Sequence, residues 1–277
     1  MKKLKPLAIA TPPILHKKII TFAIKNKKHI FCEKPLTCSY NEANLLCDLV
    51  KRERKISHMV NYEFANIEAF RFFKKKIFKN IKVSKIYVNW FINLKRRSST
   101  NWKENHSKGG GILFNYICHT IYYLEFLFGK IASVKTNIST EKKTKIKNLK
   151  GNFFFRNNLS AELNFKIGQL KYKIKPTHQL KILSEKTNYI LETNLNSLSD
   201  KFKLISLSKN SKKKLFKEKN NRNDFRINPT FINSKKFSDS IAAAKIQSPN
   251  FFDAKRIHLI IKKMIKSSKT NKKVFIK

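Results

Sequence analysis

The first 62 residues alternate short apolar runs with longer amphipathic segments, and this alternation limits the possible folds more than any other feature. Short apolar runs predict buried strands, and apolar positions three and four residues apart predict helices. The predicted order is strand, helix, strand, helix, strand, over Pro6–Ala10, Ile14–Asn26, His29–Cys32, Asn41–Lys55 and Ser57–Tyr62. Strands that alternate with helices of this length predict a parallel sheet built from βαβ units, which bind ligands at the carboxyl ends of their strands.

The pattern of the remaining residues is different, because apolar and polar residues alternate as in antiparallel strands. An apolar helical segment follows the glycines at 109–111 and ends at Phe128, with Gly129 as its predicted C-cap. Polar stretches such as Ser208–Asn223 separate strands up to about Lys235. The other predicted helices are Asn66–Phe78 and Phe251–Ile265, and the other predicted strands are Lys85–Leu94, Val134–Ile138, Gly151–Arg156, Leu159–Ile167, Lys171–Ile174, Gln179–Leu183 and Val274–Ile276. The sequence predicts an α/β fold, with a short parallel sheet in residues 1–78 and an α+β domain with a large, mostly antiparallel sheet in residues 79–277.

The chain is strongly basic, with 61 Lys and Arg against 17 Asp and Glu and a formal net charge of +44 over 277 residues. Disorder is excluded, because 41% of the residues are apolar and 12% are aromatic, which can fill a core. Nine of the basic residues are Arg, the residue that reads phosphates and bases, and the 52 Lys are dispersed along the chain. AT-rich codons explain this composition, so nucleic acid is not the expected partner. A polybasic nucleic-acid-binding protein stays open as an alternative.

Cysteine spacing and hydropathy predict a cytoplasmic protein without a metal site or a membrane span. The longest apolar region, Ile112–Phe128, contains Asn115, His119 and Glu125, which argues against insertion into a bilayer. The cysteines form no CxxC pair and no Cys/His zinc spacing, so reduced thiols in the cytoplasm are expected. These cysteines are Cys32, Cys38, Cys47 and Cys118.

Two motifs close to predicted strand ends carry a resemblance to a known family. Residues 9–16 contain I-A-T-P-P followed by His16, and residues 29–36 read H-I-F-C-E-K-P-L. Together they resemble the Gfo/Idh/MocA family of NAD(P)-dependent sugar and polyol oxidoreductases. The likeness continues through Trp102, the segment from Gly109 to Asn115, His119 and the final helix and strand at Phe251–Ile276. It therefore covers nearly the whole chain in the expected order.

The resemblance implies a Rossmann-like parallel sheet, here truncated, and hydride exchange between NAD or NADP and the alcohol of a sugar, cyclitol or nucleotide sugar. This chemistry needs a base for the hydroxyl proton and a cation near the developing alkoxide. The matching residues are Lys34, for positive charge and proton relay, His119, for acid–base chemistry, and Asn115, for a substrate hydrogen bond. Lys34 on a surface turn and His119 in an apolar core are the structural alternatives.

Other residues match positions that hold the cofactor or the substrate in the family. The implied cofactor-binding residues are Thr11, Pro12, His16, Glu33, Lys34 and Pro35. Tyr62, Trp102 and Asn115 are the implied substrate-binding residues. A strand end with a helix N-cap also explains Thr11 and Pro12, and a solvated turn also explains Glu33. Packing in a core also explains the two aromatic residues.

The sequence departs from the family pattern in two ways, around the histidine and in the loop that holds the pyrophosphate. Asn115 stands where an Asp commonly precedes the histidine, and Tyr122 stands where another Asp commonly follows it. An amide hydrogen-bonds a hydroxyl but does not stabilise an imidazolium by charge. The second departure is that no glycine occurs before Gly109, so residues 1–108 contain no GxGxxG loop for the pyrophosphate.

Three explanations of the missing loop are open: a misplaced start or broken gene, a second polypeptide that supplies the other half of the cofactor domain, and a non-catalytic carbohydrate-binding or assembly protein. NAD(P) binding by this chain alone is therefore in question. A sheet edge without its neighbouring strand is also expected. The implied partners are a sugar or polyol and a second copy of the chain, since family members commonly associate through the open face of the C-terminal sheet.

Overall fold

The computed structural model describes residues 6–93, 102, 105, 108–141, 145–168, 176–197, 199–218 and 223–277. Its backbone contacts group into two compact units, and each unit draws on separate parts of the chain. The first consists of Met1–Glu63, Ser99–Tyr122 and Thr230–Lys262, and the second of Phe64–Ser98, Tyr123–Pro229 and Lys263–Lys277.

The first unit contains the predicted parallel sheet. Its elements are β1 (Pro6–Ile9), α1 (Pro13–Lys25), β2 (His29–Cys32), α2 (Tyr40–Arg52) and β3 (His58–Val60). Within the described residues the strand order is β1-β2-β3, with both pairs parallel. This arrangement confirms the βαβ prediction.

Local sequence explains both helices of this sheet. Pro13 opens α1, where proline's missing N–H would have no partner in the helix. At α2, the Ser39 hydroxyl accepts a hydrogen bond from the Glu42 N–H at 3.3 Å, and the Glu42 carboxylate accepts one from the Cys38 N–H. The predicted face of α2 is buried and consists of Ala43, Leu46, Cys47 and Val50.

The predicted helix at Asn66–Phe78 is wrong as a single regular element. The chain instead forms α3 (Glu68–Phe72) and a π-helical turn at Phe73–Ile77, flanked by short 3₁₀ turns. The predicted helix after the glycines is confirmed, as a π-helical turn at Leu113–Ile117 that continues into α4 (Cys118–Phe128). Gly129 follows with φ +98°, consistent with the predicted C-cap.

The second unit is built on a mixed sheet with the order β11-β10-β9-β8-β4-β7-β6-β5-β12 among the described residues. The strand β4 (Val83–Asn93) pairs antiparallel with β8 but parallel with β7, so the antiparallel prediction for this strand holds on one side only. The other strands are β5 (Ile131–Glu141), β6 (Lys145–Phe155), β7 (Ser160–Gly168), β8 (Thr177–Ser184), β9 (Asn188–Asn194), β10 (Lys203–Ser208), β11 (Ser211–Lys217) and β12 (Val274–Phe275).

Three predicted stretches differ from the structure. Ser208–Asn223 is not only a separator, because it contains β11, a lysine-rich edge strand that pairs with β10. The region up to Lys235 contains the start of a helix, α5 (Ile227–Ala242), and the last helix, α6 (Phe251–Thr270), continues beyond Ile265. The predicted strand Lys171–Ile174 lies outside the described residues.

Aromatic packing holds the core of the second unit. Trp90 of β4 stacks on the His178 ring with a centroid distance of 3.8 Å, and Phe202 packs edge-on against the same ring. The Tyr123 hydroxyl lies 3.0 Å from His178 Nε2. Burial lowers the pKa of His178 to about 3, because a charged imidazole has no water around it there.

Candidate active site

Polar side chains collect at the carboxyl ends of the three parallel strands. Glu33 and Lys34 follow β2, and Asn61, Tyr62 and Glu63 follow β3. The strand hydrogen bonding continues into these residues, since the Glu33 N–H donates to the Ile9 carbonyl and the Asn61 N–H to the Cys32 carbonyl. The same strands that form the sheet therefore orient these side chains.

Lys34 is joined to the segment that carries His119. Its ammonium Nζ donates a hydrogen bond to the Asn115 carbonyl at 2.9 Å, and the Lys34–Pro35 peptide is cis. Asn115 lies in the π-helical turn, and His119 follows it by about one turn, with 3% of its surface exposed. The structure thus brings the Lys34 side chain to the backbone of Asn115, 81 positions away in the sequence.

Glu63 is a functional candidate that the sequence analysis missed. Its carboxylate Oε2 lies 3.7 Å from His119 Nδ1, and both side chains are buried. The Tyr62 ring meets the His119 ring edge-on and stacks on Tyr122, with centroid distances of 6.2 and 5.3 Å. Tyr62 is itself fully buried. The position of Glu63, directly after β3, is the signal that could have revealed it, because Lys34 follows the neighbouring strand.

The charges of Lys34 and Glu63 both affect the pKa of the Cys118 thiol. Burial raises the pKa of Cys118 to about 12, while the Lys34 ammonium lowers it and the Glu63 carboxylate raises it. Two opposite charges therefore lie near the start of α4, where His119 is placed. An imidazole with a cation and an anion nearby is suited to proton transfer.

Glu33 is held by a chain of amide and hydroxyl groups. Asn61 Nδ2 donates to Glu33 Oε1 at 2.7 Å and lies 3.2 Å from the Thr230 hydroxyl. Asn233 Nδ2 in turn donates to Asn61 Oδ1 at 3.0 Å. These contacts fix one carboxylate oxygen of Glu33, whose side chain is half-buried and can accept a hydrogen bond from a hydroxyl group.

His16 connects the ends of β1 and β2. Its Nδ1 lies 2.9 Å from the Pro35 carbonyl and its Nε2 lies 2.8 Å from the Thr11 carbonyl, and the ring is fully buried. Both ring nitrogens therefore contact protein backbone. This geometry supports a role in positioning Thr11 and Pro35, and direct contact of His16 with a cofactor stays a prediction.

The glycine segment packs against the loop after β1. Gly109 has φ +78°, and a Cβ at this position would lie 2.6 Å from Pro13 Cβ and 3.1 Å from Cys38 Sγ. Gly111 also has a positive φ of +73°. Glycine is therefore needed here for conformation and for close approach, and the segment is joined to the loops that carry the site.

We expect Gly109→Ala to lower the free energy of unfolding by about 2 to 4 kcal/mol, because strain from a positive φ adds to a clash with Pro13. Gly129→Ala is the matched control. Gly129 also has a positive φ, but a Cβ there would meet only the Asn157 side chain at 3.8 Å, so a loss of about 1 kcal/mol is expected. Urea unfolding measures both variants, and equal losses would contradict the close approach of Gly109 to Pro13.

The described residues show neither a metal site nor a membrane span. They contain no group of three His, Cys, Asp or Glu side chains placed to hold a metal ion. In the same part of the chain, none of the helices is long and apolar enough to cross a membrane. Trp102, the remaining residue implied for substrate binding, is half-exposed, and its carbonyl accepts the Asn105 N–H at 3.0 Å.

The strand ends fit one half of a nicotinamide dinucleotide. Glu33 offers a carboxylate for ribose hydroxyls and Lys34 offers an ammonium. The buried Thr11 hydroxyl has no hydrogen-bond partner among the described residues. The other half does not fit, because residues 1–108 lack the glycines that let backbone N–H groups approach a pyrophosphate.

The chain has a parallel βαβ sheet with acid, lysine and histidine side chains near its carboxyl ends. It also carries a large mixed sheet. This combination is typical of Rossmann-type oxidoreductases. Residues 2–62 match the family model for an oxidoreductase family with an NAD-binding Rossmann fold, and residues 74–225 match its C-terminal alpha/beta domain. The chain belongs to the Gfo/Idh/MocA oxidoreductase family, which confirms the resemblance and the fold class.

Curated relatives include enzymes that act on carbohydrates. The chain is 32% identical to 2,7-anhydro-N-acetylneuraminate hydratase of Escherichia coli over 136 residues, which cover 47% of this chain and 35% of that protein. It is 31% identical to levoglucosan dehydrogenase of Pseudarthrobacter phenanthrenivorans over 139 residues, which cover 48% and 35%. An uncharacterized oxidoreductase of Synechocystis is 30% identical over 141 residues, which cover 50% and 38%. The matches thus span between 35% and 38% of these relatives.

Solved structures share the fold. Levoglucosan dehydrogenase in complex with NADH superimposes with a TM-score of 0.82 at 19% identity, covering 99% of this chain and 80% of the other. The complex of levoglucosan dehydrogenase with NADH and levoglucosan gives a TM-score of 0.81 at 20% identity, covering 97% and 79%.

Proposed function

We propose that this chain supplies the substrate side and the nicotinamide side of an NAD(P)-dependent carbohydrate oxidoreductase. The observation that carries the proposal is the hydrogen bond from Lys34 Nζ to the Asn115 carbonyl, one turn before His119. It attaches a cation to the helical segment that carries an imidazole, and oxidation of an alcohol requires both groups. The carbohydrate-active relatives support a sugar, cyclitol or nucleotide-sugar alcohol as the substrate.

Each polar residue has a defined task in this proposal. His119 accepts the proton of the substrate hydroxyl, and the Lys34 ammonium stabilises the negative charge that develops on that oxygen. Asn115 hydrogen-bonds a neighbouring hydroxyl and so orients the ring. The resemblance implies that Tyr62 and Trp102 border the sugar. Because Tyr62 is buried against His119, its ring is suited to supporting the histidine.

Glu33, Lys34, Thr11, Pro12 and Pro35 would hold the nicotinamide and its ribose. The chemistry that NAD(P) supplies when bound is acceptance of a hydride from the carbinol carbon. Glu33 binds ribose hydroxyls with the carboxylate that Asn61 orients, and His16 keeps the Thr11 and Pro35 loops in place.

A glycine-rich loop for the pyrophosphate would come from another polypeptide segment. Two surfaces of the first unit support this proposal. The strand β1 has β2 as its neighbour on one side among the described residues, and α1 exposes Ile14, Leu15 and Phe22 by 55%, 44% and 65%. A strand with no second neighbour among the described residues, and a helix with exposed apolar side chains, both suit the addition of another strand and helix.

We expect the purified chain to bind reduced nicotinamide mononucleotide and NADH with dissociation constants within about threefold of each other, because the adenylate half gains few contacts without a phosphate loop. Fluorescence titration of the dihydronicotinamide measures both constants. Glu33→Gln should weaken both ligands by about tenfold, since a hydrogen bond to a charged group contributes about 1.5 kcal/mol or more. Glu53→Gln, at the end of α2, is the control and should change neither. Saturable binding of neither ligand would contradict the cofactor proposal.

A panel of sugars, cyclitols and nucleotide sugars, assayed with NAD⁺, NADP⁺ and nicotinamide mononucleotide, tests the whole reaction. An increase in dihydronicotinamide absorbance with one of these alcohols would support an oxidoreductase. Saturable sugar binding without turnover would support the non-catalytic alternative. If the affinity for duplex DNA depended steeply on salt concentration and no nicotinamide compound were bound or reduced, the nucleic-acid alternative would be favoured.

A homo-oligomer and a cytoplasmic location complete the proposal. The thiols of the four cysteines are free, and burial raises the pKa of Cys38 and Cys47 to about 11 and about 12, which suits a reducing compartment. Sedimentation velocity measures the oligomeric state.

A further inference from the structure

We propose that Glu63 is a positioning residue for His119: its carboxylate orients the imidazole and stabilises its protonated form, the task that an Asp in place of Asn115 would perform. The inference rests on the proposed function for the role of His119 and adds a charged partner from a different part of the chain. Glu63 follows β3, whereas Asn115 precedes α4.

The Glu63 carboxylate and the His119 imidazole lie close together and are buried. Glu63 Oε2 lies 3.7 Å from His119 Nδ1, and the exposed fractions are 6% for Glu63 and 3% for His119. This separation is longer than a hydrogen bond, so the interaction is mainly between charges. Charges interact more strongly at such a site than at the surface, because little water screens them.

Among the described residues, three further titratable groups close to the ring are neutral. Burial raises the pKa of Tyr62 well above its usual range. The pKa of Tyr122 is also raised, mainly by burial and to a smaller extent by the charge of Asp253. Burial also raises the pKa of Cys118 to about 12. None of these three groups supplies a negative charge to His119 at neutral pH.

Two charged groups flank the histidine from different elements. The Lys34 ammonium reaches the Asn115 carbonyl, and Glu63 contacts the ring itself. Lys34 disfavours an imidazolium and Glu63 favours it, and the ring contact makes Glu63 the stronger influence. When His119 takes a proton from a hydroxyl group, the Glu63 carboxylate balances the charge that appears on the ring.

The test is a pH titration of the histidine rings by NMR in the purified full chain, which needs neither cofactor nor turnover. The chain has seven histidines, and loss of a signal in His119→Gln identifies the one of interest. In the wild type we expect His119 to protonate at a higher pH than three other buried histidines. The buried histidines His58, His178 and His258 serve as internal references, because burial lowers their pKa values to about 4, 3 and 3.

Glu63→Gln should lower the His119 midpoint by about one pH unit or more, and adding Asn115→Asp to that variant should restore it. Glu53→Gln should leave it unchanged. A midpoint that does not move in folded Glu63→Gln would overturn the proposal. If that variant does not fold, the His119 midpoint of the wild type provides the test. A wild-type midpoint near those of the three reference histidines would also overturn the proposal. An absence of turnover would count against the proposed function and would leave this result intact.

Discussion

Lys34→Met is expected to lower the rate of hydride transfer by about 10³-fold with the best alcohol of the substrate panel. A fixed cation beside a developing alkoxide contributes on the order of 10²–10³ in rate, and loss of the proton relay adds to this effect. The variant also loses the hydrogen bond to the Asn115 carbonyl, which should lower the free energy of unfolding by about 1 to 2 kcal/mol. Steady-state kinetics and urea unfolding measure the two effects.

Lys18→Met is the matched control for this prediction. Lys18 lies on the exposed side of α1, in the same unit, so the substitution removes the same charge without touching the site. We expect its rate to stay within about twofold of the wild type. Similar rate losses in both variants would mean that the net charge of the chain, rather than the position of Lys34, controls the rate.

Acidification from pH 6.5 to pH 4.5 is expected to lower the free energy of unfolding by on the order of 4 kcal/mol. Burial lowers the pKa of His58, His178 and His258 below the unfolded value of 6.5, so the unfolded chain binds protons that the folded chain does not. Their contribution is complete above pH 6.5 and is lost as the pH falls toward their folded pKa values. Each histidine then contributes a loss of about 1.4 kcal/mol per pH unit.

Glu218 opposes this trend and provides the control. Burial raises the pKa of Glu218 to about 7, so its contribution is present below its usual pKa of 4.5 and is lost as the pH rises through 7. Glu218→Gln removes this opposing titration and should steepen the loss between pH 6.5 and 4.5 by about 2 kcal/mol. Urea unfolding at constant ionic strength measures both curves. A free energy of unfolding that is flat over this range in the wild type would contradict the prediction.

The helices and strands of the first unit could be predicted because each has a strong local pattern. The sequence of β2 is a short apolar run, and α2 has four apolar residues on one face and a capping serine before it. The edge strand β11 could not be predicted in this way. Its three consecutive lysines carry no alternation, and it exists because its backbone pairs with β10.

The candidate site was predictable in part. The motifs after β1 and β2 pointed to Thr11, Glu33 and Lys34 because strand ends carry the ligands of parallel sheets. They did not point to Glu63, whose carboxylate lies 3.7 Å from His119 Nδ1. The roles of all these residues in catalysis and binding stay predictions.

Local periodicity specified most helices and strands of this protein, because a residue's preference for a buried face depends on neighbours within one or two turns. Tertiary structure specified that β4 lies parallel to β7, that His16 joins the Thr11 and Pro35 loops, and that the Glu63 carboxylate lies beside His119. Except for the contact between His16 and Thr11, these contacts join residues 19 to 75 positions apart. No spacing in the sequence encodes which of many similar side chains will meet once the chain is folded.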